Sequence, residues 1–285
     1  MRVIIGVDWS DQAFAAVTQA FHLYHPADVT LVHGVDLGIL NHPVVAQAGN
    51  VQGYDDFRKA MVDSGNQLLE RAAAMVPSDV ALIRKVNEIA NPAQLIIDSA
   101  DNLTADLVVV GARGRSRLSE VVLGSVSHRV LLHGTRPVLI VRGAARKIRR
   151  VLVAIEDRDD ADRIAKWLMH HPFADPTELC VLHALVPIGV SDPYEALGTG
   201  TWWKDAERYA DELVKSTADK LSNARYTVST NVATGEPAAA IEQEAKGRDL
   251  VVVASHGRTG LSRFLLGSVS HSVVHHVTCP VLVLR

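Results

Sequence analysis

Two stretches decide how this chain is read: Asp106 to Arg142, DLVVVGARGRSRLSEVVLGSVSHRVLLHGTRPVLIVR, and Asp249 to Arg285, DLVVVASHGRTGLSRFLLGSVSHSVVHHVTCPVLVLR. They align without a gap and share 22 of 37 residues, so one unit is written twice. Each copy runs from a continuous apolar strand through a glycine turn and a glycine-serine pair to a second apolar strand. On a parallel sheet that order reads as a phosphate cradle, which makes a nucleotide-binding site the leading idea.

Followed backwards, the duplication aligns Val3 to Asp8 with Val151 to Glu156, and Val29 to His33 with Leu179 to His183. Asn91-Pro92-Ala93 matches Glu236-Pro237-Ala238 in the same way. The offset drifts from about 148 to about 143, a difference of a few loop residues, so two whole domains are implied, 1–143 and 149–285. A chain of 285 residues agrees, because each half is long enough to bury its own core. The seam, GAARKIRR from Gly143 to Arg150, reads as a solvated linker rather than a nucleic-acid patch.

Short Val, Ile and Leu runs alternate with longer amphipathic segments, the pattern of an α/β fold with parallel strands covered by helices on both faces. In the first copy strands are expected near 2–7, 28–34, 80–86, 106–111 and 137–142, with helices near 10–25, 55–76, 92–103 and 124–134. The second copy places strands near 150–155, 178–184, 226–232, 249–254 and 280–285. The Gly- and Pro-bearing segments Asp36 to Gly53 and Pro187 to Thr201 read as loops long enough to act as a flap.

A formal net charge of -3 gives no ground for bulk nucleic-acid or membrane-surface binding, and no apolar run approaches the length of a membrane span. The start goes straight into strand pattern, so no secretory signal is expected. Cys180 and Cys279, the two cysteines, read as buried thiols in a reducing compartment, with the cytoplasm as the natural setting.

Gly111, Gly114, Gly124 and Ser125 fall at the spacing G-x2-G-x9-G-S, repeated in part as Gly257, Gly267 and Ser268. Gly111 and Gly114 can take positive φ and let a phosphate approach the backbone without meeting a Cβ. Gly124 and Ser125 begin the next helix, where free N–H groups, the helix dipole and the Ser125 hydroxyl favour an anion. Read structurally, the same residues are a tight turn and an ordinary serine N-cap. Arg113 and Arg115 flank Gly114 and either screen phosphates or sit on a solvated loop.

At these residues the sequence resembles the universal stress protein family in its tandem two-domain form, over essentially the whole chain. The resemblance implies that each domain is an open five-stranded parallel sheet of order 3-2-1-4-5, with ATP or ADP, and Mg2+ on its phosphates, over the ends of the first and fourth strands. An open α/β sheet is expected to hold a ligand at that switch point on physical grounds as well. By the same resemblance Asp8 meets the adenine, the backbone at Gly34 borders it, and the glycine turn with Ser125 holds ribose and phosphates. It also implies that the fifth strands, Pro137 to Arg142 and Pro280 to Arg285, join the two copies antiparallel as a pseudo-dimer within one chain. Both are apolar on both faces, so either one unpaired would be an adhesive edge. A homodimer of chains and an unidentified protein partner stay open.

The second copy departs from the pattern at Glu156, Arg158 and Ala254, which stand opposite Asp8, Ser10 and Gly111. Ala254 fits if its φ is negative, and the longer carboxylate of Glu156 intrudes on the adenine or ribose. Arg158 either pairs with Glu156 and fills the pocket or reaches a phosphate, so nucleotide binding by this copy is undecided.

No G-x4-G-K-[ST] occurs and no lysine is placed to polarise a γ-phosphate, so a fast NTPase or kinase is not expected. The sequence GSVSH from Gly124 to His128 lacks a nucleophile elbow and a placed acid. His128 and His271 read as helix residues packed under the glycine loop. The pairs His22/His25, His170/His171 and His275/His276 lack a Cys or carboxylate at matching spacing and read as surface or core histidines. Three functions remain: a cytoplasmic ATP-binding regulator of stress physiology, a slow ATP hydrolase or phosphotransferase with Asp8 as base, and a nucleotide-free interaction scaffold.

Overall fold

Val3, Ile4 and Ile5 are consecutive in sequence and all at most 1 % exposed, so both faces of their strand are covered. The structure, a computed structural model, describes residues 1–38, 54–113, 123–187, 193–255 and 266–285. The chain divides into two compact units, Met1–Ala145 and Arg146–Arg285.

The first unit runs β1 (Arg2–Gly6), α1 (Asp11–Leu23), β2 (Asp28–Gly34), α2 (Tyr54–Ala73), β3 (Leu82–Glu88), α3 (Pro92–Asn102), β4 (Leu107–Gly111), α4 (Ser125–His133) and β5 (Val138–Val141). Every pairing in it is parallel, β2 with β3, β1 with β2, β1 with β4 and β4 with β5, which gives the order 3-2-1-4-5. The second unit repeats this as β6 (Arg150–Ala154), α5 (Arg158–His170), β7 (Thr177–Leu185), α6 (Pro193–Leu221), β8 (Tyr226–Thr234), α7 (Pro237–Glu244), β9 (Leu250–Ala254), α8 (Ser268–His276) and β10 (Val281–Leu284). Its pairings, β7 with β8, β6 with β7, β6 with β9 and β9 with β10, are parallel in the same order. The expected fold class is therefore found in both copies.

Helix starts follow from capping chemistry that the sequence carries. The Asn91 side chain accepts the Gln94 N–H at 3.2 Å with Pro92 at the first helical position, and Glu236 accepts the Ala239 N–H at 2.7 Å ahead of Pro237. The repeated Asn/Glu-Pro-Ala triplet is thus a helix-start signal. The third strand lies at 82–88 rather than 80–86. None of its residues is fully buried, and its parallel register with β2 runs to Glu88.

The loop expected from Pro187 to Thr201 is corrected, because α6 begins at Pro193. Proline's fixed φ and missing N–H suit the first turn of a helix, so it opens this one rather than breaking it. The first-copy counterpart, 36–53, falls almost wholly outside the described residues. In the seam, Gly143 takes φ 67° two residues after β5, and Ile148 is buried while its charged neighbours Arg146, Lys147, Arg149 and Arg150 are exposed. Among the described residues no helix is long and apolar enough to cross a membrane.

Candidate functional site

In the first unit β1 and β4 are parallel neighbours, and their C-terminal ends mark the point where the strand order changes direction. Asp8 follows β1 there, half-buried, and its Oδ1 accepts from Ser10 twice: from the backbone N–H at 2.9 Å and from the hydroxyl. Ser10 also caps α1, accepting the Ala13 N–H at 3.2 Å. The carboxylate is therefore oriented by the residue that starts the next helix. His33, near the end of β2, donates Nδ1–H to the Val7 carbonyl at 2.8 Å, which fixes its tautomer because a carbonyl only accepts. The second unit repeats the bond from His183 to Ile155 at 3.1 Å.

Gly111 does not use the positive φ that a glycine would allow there. Its hydrogen serves packing: a Cβ there would lie 2.9 Å from the Gln12 carbonyl group and 3.1 Å from the Ala13 nitrogen. The first turn of α1 sits directly on the end of β4. Gly34 is similar, since its Cβ would come within 2.7 Å of Pro92 Cα at the start of α3. Two glycines read as ligand approaches thus also let helix backbones approach strand ends.

The turn after β4 is latched at both ends. Gly124 donates its N–H to the Ala112 carbonyl at 2.7 Å, and the Ser127 hydroxyl lies 3.0 Å from the same oxygen. The Gly124 N–H is consequently not free for an anion, a correction to the sequence reading. The N-cap is Gly124 itself, with no side-chain capping bond, and Ser125 is the first helical residue, exposed. Because the helix ladder opens with His128 N–H to Gly124 O at 2.9 Å, the N–H groups of Ser125, Val126 and Ser127 have no intrahelical partner. Three such N–H groups, with the helix dipole, are an arrangement that can receive an anion. The second unit carries a similar latch, Gly267 N–H to Ser255 O at 2.8 Å, but its Ser270 hydroxyl reaches the preceding carbonyl, Ala254 O, at 2.7 Å; Ser268 is exposed at the start of α8. Gly114 and Gly257 lie outside the described residues, as does Arg115.

The sequence reading missed Gln12, Ser127 and Ser270. The Gln12 side-chain oxygen accepts the Arg113 N–H at 3.0 Å, joining the start of the turn to α1. The serines had a visible signal, the second Ser of GSVSH, identical in both copies.

The units diverge at the mouth of the site. Asp157 caps α5, accepting the Asp160 N–H at 2.9 Å, so this helix starts one aligned position earlier than α1. Glu156 is exposed where Asp8 is half-buried. Arg158 lies over the Tyr209 ring, 5.9 Å from its centroid, and not against Glu156. Asp160, aligned with Gln12, is 6 % exposed and 3.3 Å from Arg163. Burial first, then the Asp157 carboxylate, push its carboxyl up to about 7, against the pull of Arg163 and with a smaller push from Glu156. Ala254 is not among the positive-φ residues and is buried without difficulty.

The model of the universal stress protein family matches this chain twice, over residues 1–142 and 147–285. A universal stress protein of Mycolicibacterium smegmatis is 29% identical over 302 residues, covering 99% of this chain and 96% of the relative. One from Mycobacterium tuberculosis is 27% identical over 297 residues, with 99% and 96% covered. Among solved structures, a universal stress protein from Archaeoglobus fulgidus superposes with a TM-score of 0.62 at 19% identity, covering 100% of this chain and 98% of its own. With both halves matched and the fold shared along the whole length, this chain belongs to the universal stress protein family.

Proposed function

We propose that the chain is an ATP- or ADP-binding regulator of stress physiology in the cytoplasm, and that its first unit holds the nucleotide. The observation that carries this reading is the start of α4. Its latched turn leaves three N–H groups without intrahelical partners at the C-terminal end of β4, and Asp8 is fixed at the end of neighbouring β1. Asp8 and the backbone at Gly34 are assigned to the adenine side, and Gly111, Gly114, Gly124 and Ser125 to the ribose and phosphates. Gly124 contributes as the latch rather than as a donor. Mg2+ would ride on the phosphates.

The second unit keeps Gly257, Gly267 and Ser268 but has Glu156, Arg158 and Ala254, and we assign it the weaker site. That divergence favours the alternative reading, a nucleotide-free scaffold, for half of the molecule. A slow ATP hydrolase ranks below both, since no motif fixes a lysine on the γ-phosphate. We propose as well that the two fifth strands join antiparallel within one chain, an assignment that crosslinking of the full chain checks.

The test is nucleotide content and affinity. Protein as purified is extracted with acid and the extract chromatographed, and calorimetry follows ATP binding to the parent and to Gly114→Glu. The parent is expected to bind ATP, and the variant at least tenfold more weakly, about 1.4 kcal/mol. A parent with no extractable adenine nucleotide and no binding heat would leave the scaffold reading in place. A folded variant with parental affinity would refute the cradle.

A further inference from the structure

Helix α8 differs from its first-copy counterpart in one respect that the nucleotide reading does not use. His271 aligns with His128, but His275 stands where the first copy has Leu132, so only the second copy carries histidines four residues apart here. That spacing puts two side chains one above the other on a single helix face. The rings of His271 and His275 are 4.4 Å apart at an interplanar angle of 35°, with ligating nitrogens within 4.8 Å of each other. Two imidazoles sharing one ion at the usual bond length of about 2.0 Å need their nitrogens roughly 3.3 Å apart in tetrahedral geometry. Small side-chain rotations close the difference.

The neighbouring histidine is employed elsewhere. His276 Nδ1 lies 2.9 Å from the Ser272 carbonyl, 3.1 Å from its hydroxyl and 3.3 Å from Glu242 Oε1, on the adjoining face of the helix. The pair is therefore His271 with His275, and not the adjacent His275 with His276.

We propose that His271 and His275 form a two-imidazole chelate for a borderline transition-metal ion, Zn2+ or Cu2+, with water completing the coordination. Imidazole suits these ions, and Cu2+ binds the same donors more tightly than Zn2+. Mg2+ and Ca2+ prefer oxygen donors and are excluded. Because the metal competes with protons for the ring nitrogens, binding weakens in acid.

The test is calorimetry of ZnCl2 and, separately, CuCl2 into the full chain after chelator treatment, in a buffer that does not bind metal. His271→Ala, His275→Leu and His275→Gln are run beside the parent, the leucine being the residue the first copy carries in the same helix. The expected result is one equivalent bound by the parent, Cu2+ tighter than Zn2+, and at least tenfold weaker binding in all three variants. His275→Gln keeps a polar side chain, and circular dichroism verifies that each variant is folded. A parent that binds neither ion overturns the chelate. So does parental affinity in the folded variants at either position, because binding would then lie elsewhere among the 13 histidines.

Discussion

The Gln12 side-chain oxygen accepts the Arg113 N–H at 3.0 Å, a bond that ties the turn after β4 to the first turn of α1 across 101 residues of sequence. Its aligned partner in the second unit, Asp160, is buried beside Asp157 and Arg163. A neutral amide has been exchanged for a carboxyl that burial keeps partly protonated near neutrality. The turn of the first unit is thereby positioned by a group with no charge to titrate, and the second unit has a proton-dependent group in the same place.

Stability should therefore fall with pH through the second unit. Asp160 has a folded pKa of about 7, above an unfolded value of roughly 3.9, so its contribution is fully present below pH 4 and is lost as pH rises through about 7. Asp160→Asn removes the titration. Urea unfolding should show the variant more stable than the parent at pH 8 by about 1 to 4 kcal/mol, and little different at pH 4. Parallel pH profiles for the two proteins would show that Asp160 does not titrate in this range.

Gly111→Ala separates packing from ligand approach. Its new Cβ would meet the Gln12 and Ala13 backbone at 2.9 to 3.1 Å, and main chain at the start of a helix moves only with the helix. A loss of about 1 to 3 kcal/mol in unfolding free energy is expected, seen in the thermal midpoint before any nucleotide is added. An unchanged midpoint would mean that α1 shifts freely.

How much of this was legible in the sequence depends on how far apart the partners lie. Strands, helices and the doubling came through because each is a local pattern: apolar runs, capping triplets such as Asn91-Pro92-Ala93, and a repeat whose last 37 residues align without a gap. The start of α4 was legible too, since the glycine-serine pair that opens GSVSH is where the helix begins. The use of Gly111 was not, because it depends on Gln12, which is brought there only by folding. Ser127 escaped for a different reason. Its repetition in both copies marked the position, but a serine in the first turn of a helix does not reveal that its hydroxyl reaches back to the Ala112 carbonyl. Arg158 had two readings on charge alone, and Tyr209, some fifty residues away on α6, was in neither.

The two serines of the first GSVSH should part company on mutation. Ser127 is buried and its hydroxyl serves the latch, so Ser127→Ala should cost about 1 kcal/mol of stability. Ser125 is exposed and makes no capping bond, so Ser125→Ala should leave the thermal midpoint within experimental scatter. If the proposed cradle is right, calorimetry should show its ATP affinity lowered several-fold, about 1 kcal/mol. Ser125→Ala destabilised as much as Ser127→Ala would assign both hydroxyls to the fold.

The asymmetry between units yields the most demanding prediction. If the second site is weak because its mouth is altered, ATP should titrate the parent at one tight equivalent per chain. Restoring the first-copy residues, Glu156→Asp, Arg158→Ser, Asp160→Gln and Ala254→Gly, should then raise the count toward two. Each exchange has its own reason. Glu156→Asp shortens the carboxylate, and Arg158→Ser releases the guanidinium from Tyr209 and supplies the hydroxyl that orients Asp8 in the first unit. Asp160→Gln replaces an ionisable group that repels phosphate, and Ala254→Gly lets the helix start settle as α1 does on Gly111. Because the four positions crowd one mouth, their effects should not add, and the single Asp160→Gln is expected to recover only part of the affinity. Two equal sites in the parent would show that these four residues do not set affinity, whereas a folded quadruple variant that still binds one equivalent would place the block in Gly257 to Leu265, which lie between Ser255 and Gly267 in the sequence.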